Sequence, residues 1–90
     1  MAEVHVLAFV QTERMDGQIV FQRRENKAAF YWLDNALNAA EEQCSRMLDH
    51  YKEAGYSTVK DSETTFTYFG RGENRIVGFW NFYVDSMQMQ

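Results

Sequence analysis

Ninety residues with nine basic and thirteen acidic side chains give a net charge of -4, spread so evenly that no basic stripe exists to neutralise a phosphate backbone, which argues against a general nucleic-acid binder. At 46% hydrophobic, 16% aromatic and 24% charged, without a single proline, the composition is that of one folded domain and not of a disordered segment or a PxxP ligand. Cys44 is the only cysteine, which rules out an intrachain disulfide and points to a reducing compartment.

The first stretch, E-V-H-V-L-A-F-V-Q-T (3–12), places Val4, Val6, Val10 and Thr12 at alternate positions, as a strand does. It has neither the basic start nor the cleavage site of a secretory signal. Nothing in the chain approaches the ~18 apolar residues of a membrane helix, so a cytoplasmic protein without membrane contact is expected. Asp16-Gly17 is a hairpin-turn signal, and Q-I-V-F-Q-R-R (18–24) returns antiparallel. With Asp16 and Gly17 as the loop, Thr12 falls opposite Phe21 and Arg14 opposite Ile19. Val4, Val6, Ala8, Val10, Ile19 and Phe21 are then the core face, and His5, Leu7, Phe9, Gln11, Val20 and Gln22 the mixed one.

Over 27–54, Phe30, Leu33, Leu37, Ala40, Cys44, Met47 and Tyr51 recur at 3-4-3-4 spacing, an apolar stripe that predicts a helix about 42 Å long. Asn26 is the expected N-cap and Gly55 the expected left-handed stop. Trp32, Ala36 and Ala39 make a second, weaker stripe, and Tyr31 and Trp32 together are a possible second contact site. Residues 56–70 are rich in threonine and aromatics, which is strand chemistry, with a bend or bulge at K-D-S-E (60–63). The loop R-G-E-N (71–74) leads to I-V-G-F-W-N-F-Y-V (76–84), and S-M-Q-M-Q (86–90) is a frayed tail. The expected fold is α+β: a two-layer ββαββ domain over 1–90, with hairpin 3–24, helix 27–54, hairpin 56–85, and a four-stranded antiparallel sheet carrying one long helix on one face. Strand orders 2-1-3-4 and 1-2-4-3 are both open.

Catalytic and metal-binding patterns are missing. His5, His50 and Cys44 form no C-x-x-C or H-x-x-x-H pair, and Cys44 lies on the apolar stripe, where it reads as a small buried hydrophobe. Glu41, Glu42, Asp49 and Glu53 line a helix face open to water, which cannot separate their pKa values for acid-base work. The close glycines of G-R-G (70–72) sit between strands and not before a helix, so they are hairpin glycines and not a phosphate loop. No catalytic residue, no metal and no cofactor is expected, and the chain reads as non-enzymatic.

The stretch 76–84 is the informative one. Alternation puts Ile76, Gly78, Trp80, Phe82 and Val84 on one face and Val77, Phe79, Asn81 and Tyr83 on the other, so both faces carry large rings. The first, less polar set is expected under the helix. A short loop centred on Gly72-Glu73 sets Phe66 opposite Phe79 and Tyr68 opposite Val77. Phe66, Tyr68, Val77, Phe79, Asn81 and Tyr83 then form an open face, extended by Leu7, Phe9 and Val20. Gly78 marks a place where the sheet bends or a neighbour comes close.

A bare aromatic face exceeds what soluble monomers usually expose, and rings with polar tips are interface chemistry. Three coverings are expected: the tail or the 56–63 segment, a homodimer through face or edge, or a different protein. R-I-V-G-F-W-N-F-Y-V resembles the aromatic core strand of RNA recognition motifs, which implies base stacking by Phe79 and Tyr83 with Phe66 or Tyr68 beside them; the second helix of that family is missing. In general character the chain resembles phage accessory proteins, such as inhibitors of host defence and anti-CRISPR proteins among them, which implies a protein partner. The expectation is therefore a small protein-binding inhibitor or modulator that is itself a homodimer. The alternatives are an RNA- or nucleotide-binding module and a shared-site ligand-binding subunit using His5, Arg23 and Arg24.

Overall fold

Residues 2–88 are described by a computed structural model. Two long strands, β1 (Glu3–Met15) and β2 (Gln18–Phe30), are followed by the helix α1 (Leu33–Glu53) and by β3 (Ser57–Lys60), β4 (Thr65–Phe69) and β5 (Val77–Gln88). The α+β architecture with one helix on an antiparallel sheet is as the sequence predicts, but there are five strands and not four. K-D-S-E is where the fifth arises: Asp61 and Ser62 both bond through their backbone N–H to the carbonyl of Thr65, closing a turn between β3 and β4. The order is β2-β1-β5-β4-β3, every neighbour antiparallel. Neither expected order holds, because the first and last strands pair with each other. β1 and β5 are the two strands that are apolar on both faces, and they occupy the centre, where both edges are paired and α1 covers one face.

The β1–β2 hairpin turns at Asp16 (φ 52°) and Gly17 (φ 81°), both left-handed, as a two-residue turn matched to strand twist requires. Arg14 faces Ile19 as expected, but the ladder then slips at a bulge and Thr12 faces Gln22, not Phe21. A second slip leaves Lys27 without a partner between the Leu7–Ala28 and Ala8–Asn26 pairs. The hairpin is also longer than predicted. Residues 25–30, most of them helix-formers by propensity, are drawn into the sheet because the start of β1 offers them a ladder; His5 pairs with Phe30.

That extension shortens the helix. Trp32 is its N-cap, in place of Asn26, and 21 residues from Leu33 give about 31 Å. Its buried residues are Ala36, Ala40, Cys44 and Leu48, with Ala39, Met47 and Tyr51 packed alongside. The predicted stripe is thus rotated: Leu33 and Leu37 stand exposed, while Ala36 and Ala39 of the weaker stripe enter the core. The small residues of α1 let its backbone approach, and the sheet fills the gap with Leu7, Phe9, Phe66, Tyr68, Trp80 and Phe82. Gly55 ends the helix as predicted, with φ 90° and the paired bonds Tyr56 N–H to Tyr51 O and Gly55 N–H to Lys52 O, each 3.0 Å, of a Schellman stop.

The faces of β1 and β4 are the reverse of expectation. Phe9 pairs with Phe82, Gln11 with Trp80 and Leu7 with Val84, so the β5 rings carry His5, Leu7, Phe9 and Gln11 under the helix and leave Val4, Val6, Ala8 and Val10 outside. Trp80 and Phe82 are buried and Val84 packs against them, as predicted, while Ile76 lies half-buried just before β5. The tail is not free at 86: β5 continues to Gln88, which pairs with Glu3. Residues 89 and 90 of the predicted tail lie outside the described residues.

Candidate protein-binding surface

The register of β4 decides which aromatic rings remain available. Phe66 pairs with Trp80, Thr67 with Phe79 and Tyr68 with Gly78, one residue away from the predicted alignment. The cause is the 70–76 connection, where Gly70 N–H bonds to Ile76 O at 2.8 Å and the Asn74 side-chain oxygen accepts from Ile76 N–H at 2.9 Å. Phe66 and Tyr68 are therefore core, 0% and 1% exposed, and not part of an open face. Leu7 and Phe9 are likewise buried. Val20 is the unpaired residue of a bulge on the edge strand, and half exposed. Val77, Phe79, Asn81 and Tyr83 stand where alternation put them, on the side away from the helix.

Their neighbours across the sheet are Arg14, Thr12, Val10 and Ala8 on β1, then Thr65, Thr67 and Phe69 on β4, with Val59 beyond. On β2 the same side carries Gln22, Arg24, Asn26 and Ala29. Phe69, Val77, Phe79, Val59 and Met87 are 38–50% exposed. Although the chain is rich in charge, the strand positions of this face bear only Arg14, Arg24 and Asp85, with Asp61 at the rim bonding the Thr67 hydroxyl at 2.7 Å. Arg24 lies 5.8 Å from the centre of the Tyr83 ring. A shallow groove of about 460 Å³ is lined by Thr12, Arg14, Thr67, Val77, Gly78 and Phe79. Neither the 57–60 segment nor residues 86–88 fold over the face: both are strands within the sheet.

A second surface lies at the junction of β2 and α1. Tyr31 and Trp32 are 73% and 72% exposed, and Leu33 and Leu37 continue the apolar surface along the helix. Trp32 holds the N-cap position without any side-chain bond to the helix, where Ser, Thr, Asp or Asn would contribute about 1 kcal/mol. The sequence marks this pair as a second contact site beside a weaker stripe through Trp32, and the structure leaves both rings exposed.

The buried polar side chains His5 and Gln11 are tied into hydrogen bonds. Gln11 donates to the Tyr68 hydroxyl at 2.8 Å and Tyr68 donates to Glu13 at 2.5 Å, with Arg23 reaching the Gln11 carbonyl at 3.5 Å. Burial, reinforced by the Glu13 bond, holds the Tyr68 phenol well above its ordinary range. Burial likewise pushes the Cys44 thiol up, so neither is an available nucleophile at neutral pH. His5 is fixed against the Ser86 hydroxyl at 2.7 Å, and Arg23, instead of lining a site with it, lies 5.1 Å from the Phe9 ring centre. No three His, Cys, Asp or Glu side chains among the described residues are grouped to hold a metal, and no described helix is long and apolar enough to cross a membrane. Comparison with protein-family models, curated proteins and solved structures yields no match.

Proposed function

We propose that this is a non-enzymatic protein-binding module that acts by occupying a surface of a larger protein, with Tyr31 and Trp32 as its anchors. The observation that carries the proposal is Trp32: a large ring held three-quarters in water at a helix position where its presence forgoes a cap. A residue that breaks a local rule without any gain inside the fold has its reason outside it, and exposed Trp and Tyr are the side chains that most often dominate binding energy. Inhibition of a host-defence component, the role implied by the likeness to phage accessory proteins, is one form such occupancy takes. The RNA reading has less support, since Phe66 and Tyr68, the rings expected beside Phe79 and Tyr83, lie beneath the helix.

The test is Trp32→Asp. It supplies the missing cap, so the folded state should gain about 1 kcal/mol, while loss of an anchor ring should weaken partner binding by on the order of thirtyfold or more. Affinity capture from the source cell, quantified by mass spectrometry with both proteins, reads the second effect. Equal capture of every protein by the wild type and the variant refutes the anchor role.

A further inference from the structure

We infer that the open face of the sheet is covered by a second copy of this chain, packed face to face about a two-fold axis that crosses the strands at the Val10–Asn81 pair. The inference does not depend on the Tyr31–Trp32 proposal, which concerns the junction of β2 and α1. Three features of the face select this occupant.

The first is charge. A chain of net charge -4 repels its own copy unless the meeting surfaces are nearly neutral, and this face is. The two charges it carries on the central strands are of opposite sign and lie at opposite ends. Arg14 sits in register with Val77, and Asp85 with Val6. No ion pair within the described residues engages either of them. Along β5, Val77 and Asp85 are equally far from Asn81 in sequence. A two-fold axis through the Val10–Asn81 pair therefore carries the Arg14–Val77 pair over the Val6–Asp85 pair of the copy, twice. In that stack Arg14 lies over Val6 and Val77 over Asp85 of the copy, so arginine and aspartate are diagonal neighbours one strand spacing, about 4.8 Å, apart in projection.

The second is shape. The same operation sets Phe79 and its groove against Tyr83 of the copy. Thr12, Thr67 and Phe79 line the groove, with the backbone of Gly78 at its floor. Tyr83, partly exposed at the other end of the patch, is the ring that would fill it. Hollow and ring are related by the same axis as the two charges.

The third is area and the edge. Strands of these lengths at ~3.3 Å per residue and ~4.8 Å spacing present on the order of 750 Å² of flat projection, close to the roughly 800 Å² that each partner contributes to a standard stable interface. Edge pairing is disfavoured instead. β2, the long edge, carries Arg23, Arg24, Glu25 and Lys27 and two bulges, the devices by which sheets prevent strand addition.

Charge reversal tests the arrangement by sedimentation equilibrium. Arg14→Glu and Asp85→Arg each place like charges together twice and should weaken the dimer about tenfold or more. The double variant should restore it, and so should an equimolar mixture of the two single variants, whose heterodimer recovers both attractive contacts. Asn81→Lys, which sets two ammonium groups at the axis, should leave a folded monomer by circular dichroism. A wild-type chain that is monomeric throughout, or binds only a different protein through this face, overturns the inference. So does a dimer that the single reversals leave intact, or one that their mixture does not rescue, because the copies would then meet in another way.

Discussion

Gly78→Ala is the substitution that most directly probes the packing beneath the helix. An ideal Cβ at position 78 would lie 1.9 Å from Cζ of Tyr68 and 2.3 Å from both Cε atoms. Carbon atoms in contact stand about 3.4 Å or more apart, so the ring would have to retreat by roughly 1.5 Å. It has nowhere to go, since Tyr68 is 1% exposed and the Tyr51 ring is centred 4.4 Å away. Retreat would also break the Gln11 and Glu13 bonds to the Tyr68 hydroxyl. Overpacking of this kind costs about 1–3 kcal/mol, and disruption of a buried hydrogen-bond pair adds about 1 kcal/mol or more. A total near 3 kcal/mol corresponds to a fall in Tm of about 12–24 °C for a domain of this size. Thermal unfolding monitored by circular dichroism measures it. On a Tyr68→Ala background the same Gly78→Ala change should cost far less, because the two residues share one contact. A fall of less than about 4 °C on the wild-type background would refute the placement of the Tyr68 ring over Gly78.

Two further outcomes follow from the same geometry. Phe66→Ala should cost about 3–5 kcal/mol and Phe79→Ala about 1 kcal/mol or less in the monomer, measured by urea unfolding; equal costs would mean that the β4 register is wrong. The Tyr68 phenol, held protonated by burial in the folded state, ionises near pH 10 once unfolded. Above that pH the unfolded chain binds fewer protons, so stability should fall as pH rises, more steeply than in Tyr68→Phe by up to one proton. Parallel pH profiles for the two proteins would refute it.

How much of this was legible beforehand depends on the range of the interaction involved. The sequence determined what is local. Alternation along 77–83 put Val77, Phe79, Asn81 and Tyr83 on one face without reference to any partner, because a strand's side chains alternate whatever lies beside it. Asp16-Gly17 and Gly55 specified a turn and a helix stop through backbone conformations open chiefly to glycine and its usual companions. Gly78 was recognisable as a place of close approach, though not that Tyr68 was the neighbour.

Tertiary structure decided what depends on register and competition. Phe66 and Tyr68 went into the core because Gly70, Asn74 and Ile76 close their loop in a way that moves β4 by one residue, and one residue exchanges the faces of a strand. The 25–30 segment, mostly helical by propensity, became strand because β1 presented an unpaired edge to it. Tyr31 and Trp32 were exposed by the same event: once the hairpin claimed Phe30, the helix began at Leu33, six residues later than expected, and turned a different stripe to the sheet. The alternation of a single strand is fixed by covalent geometry, whereas these outcomes are set by which of two distant segments forms the better-packed pair.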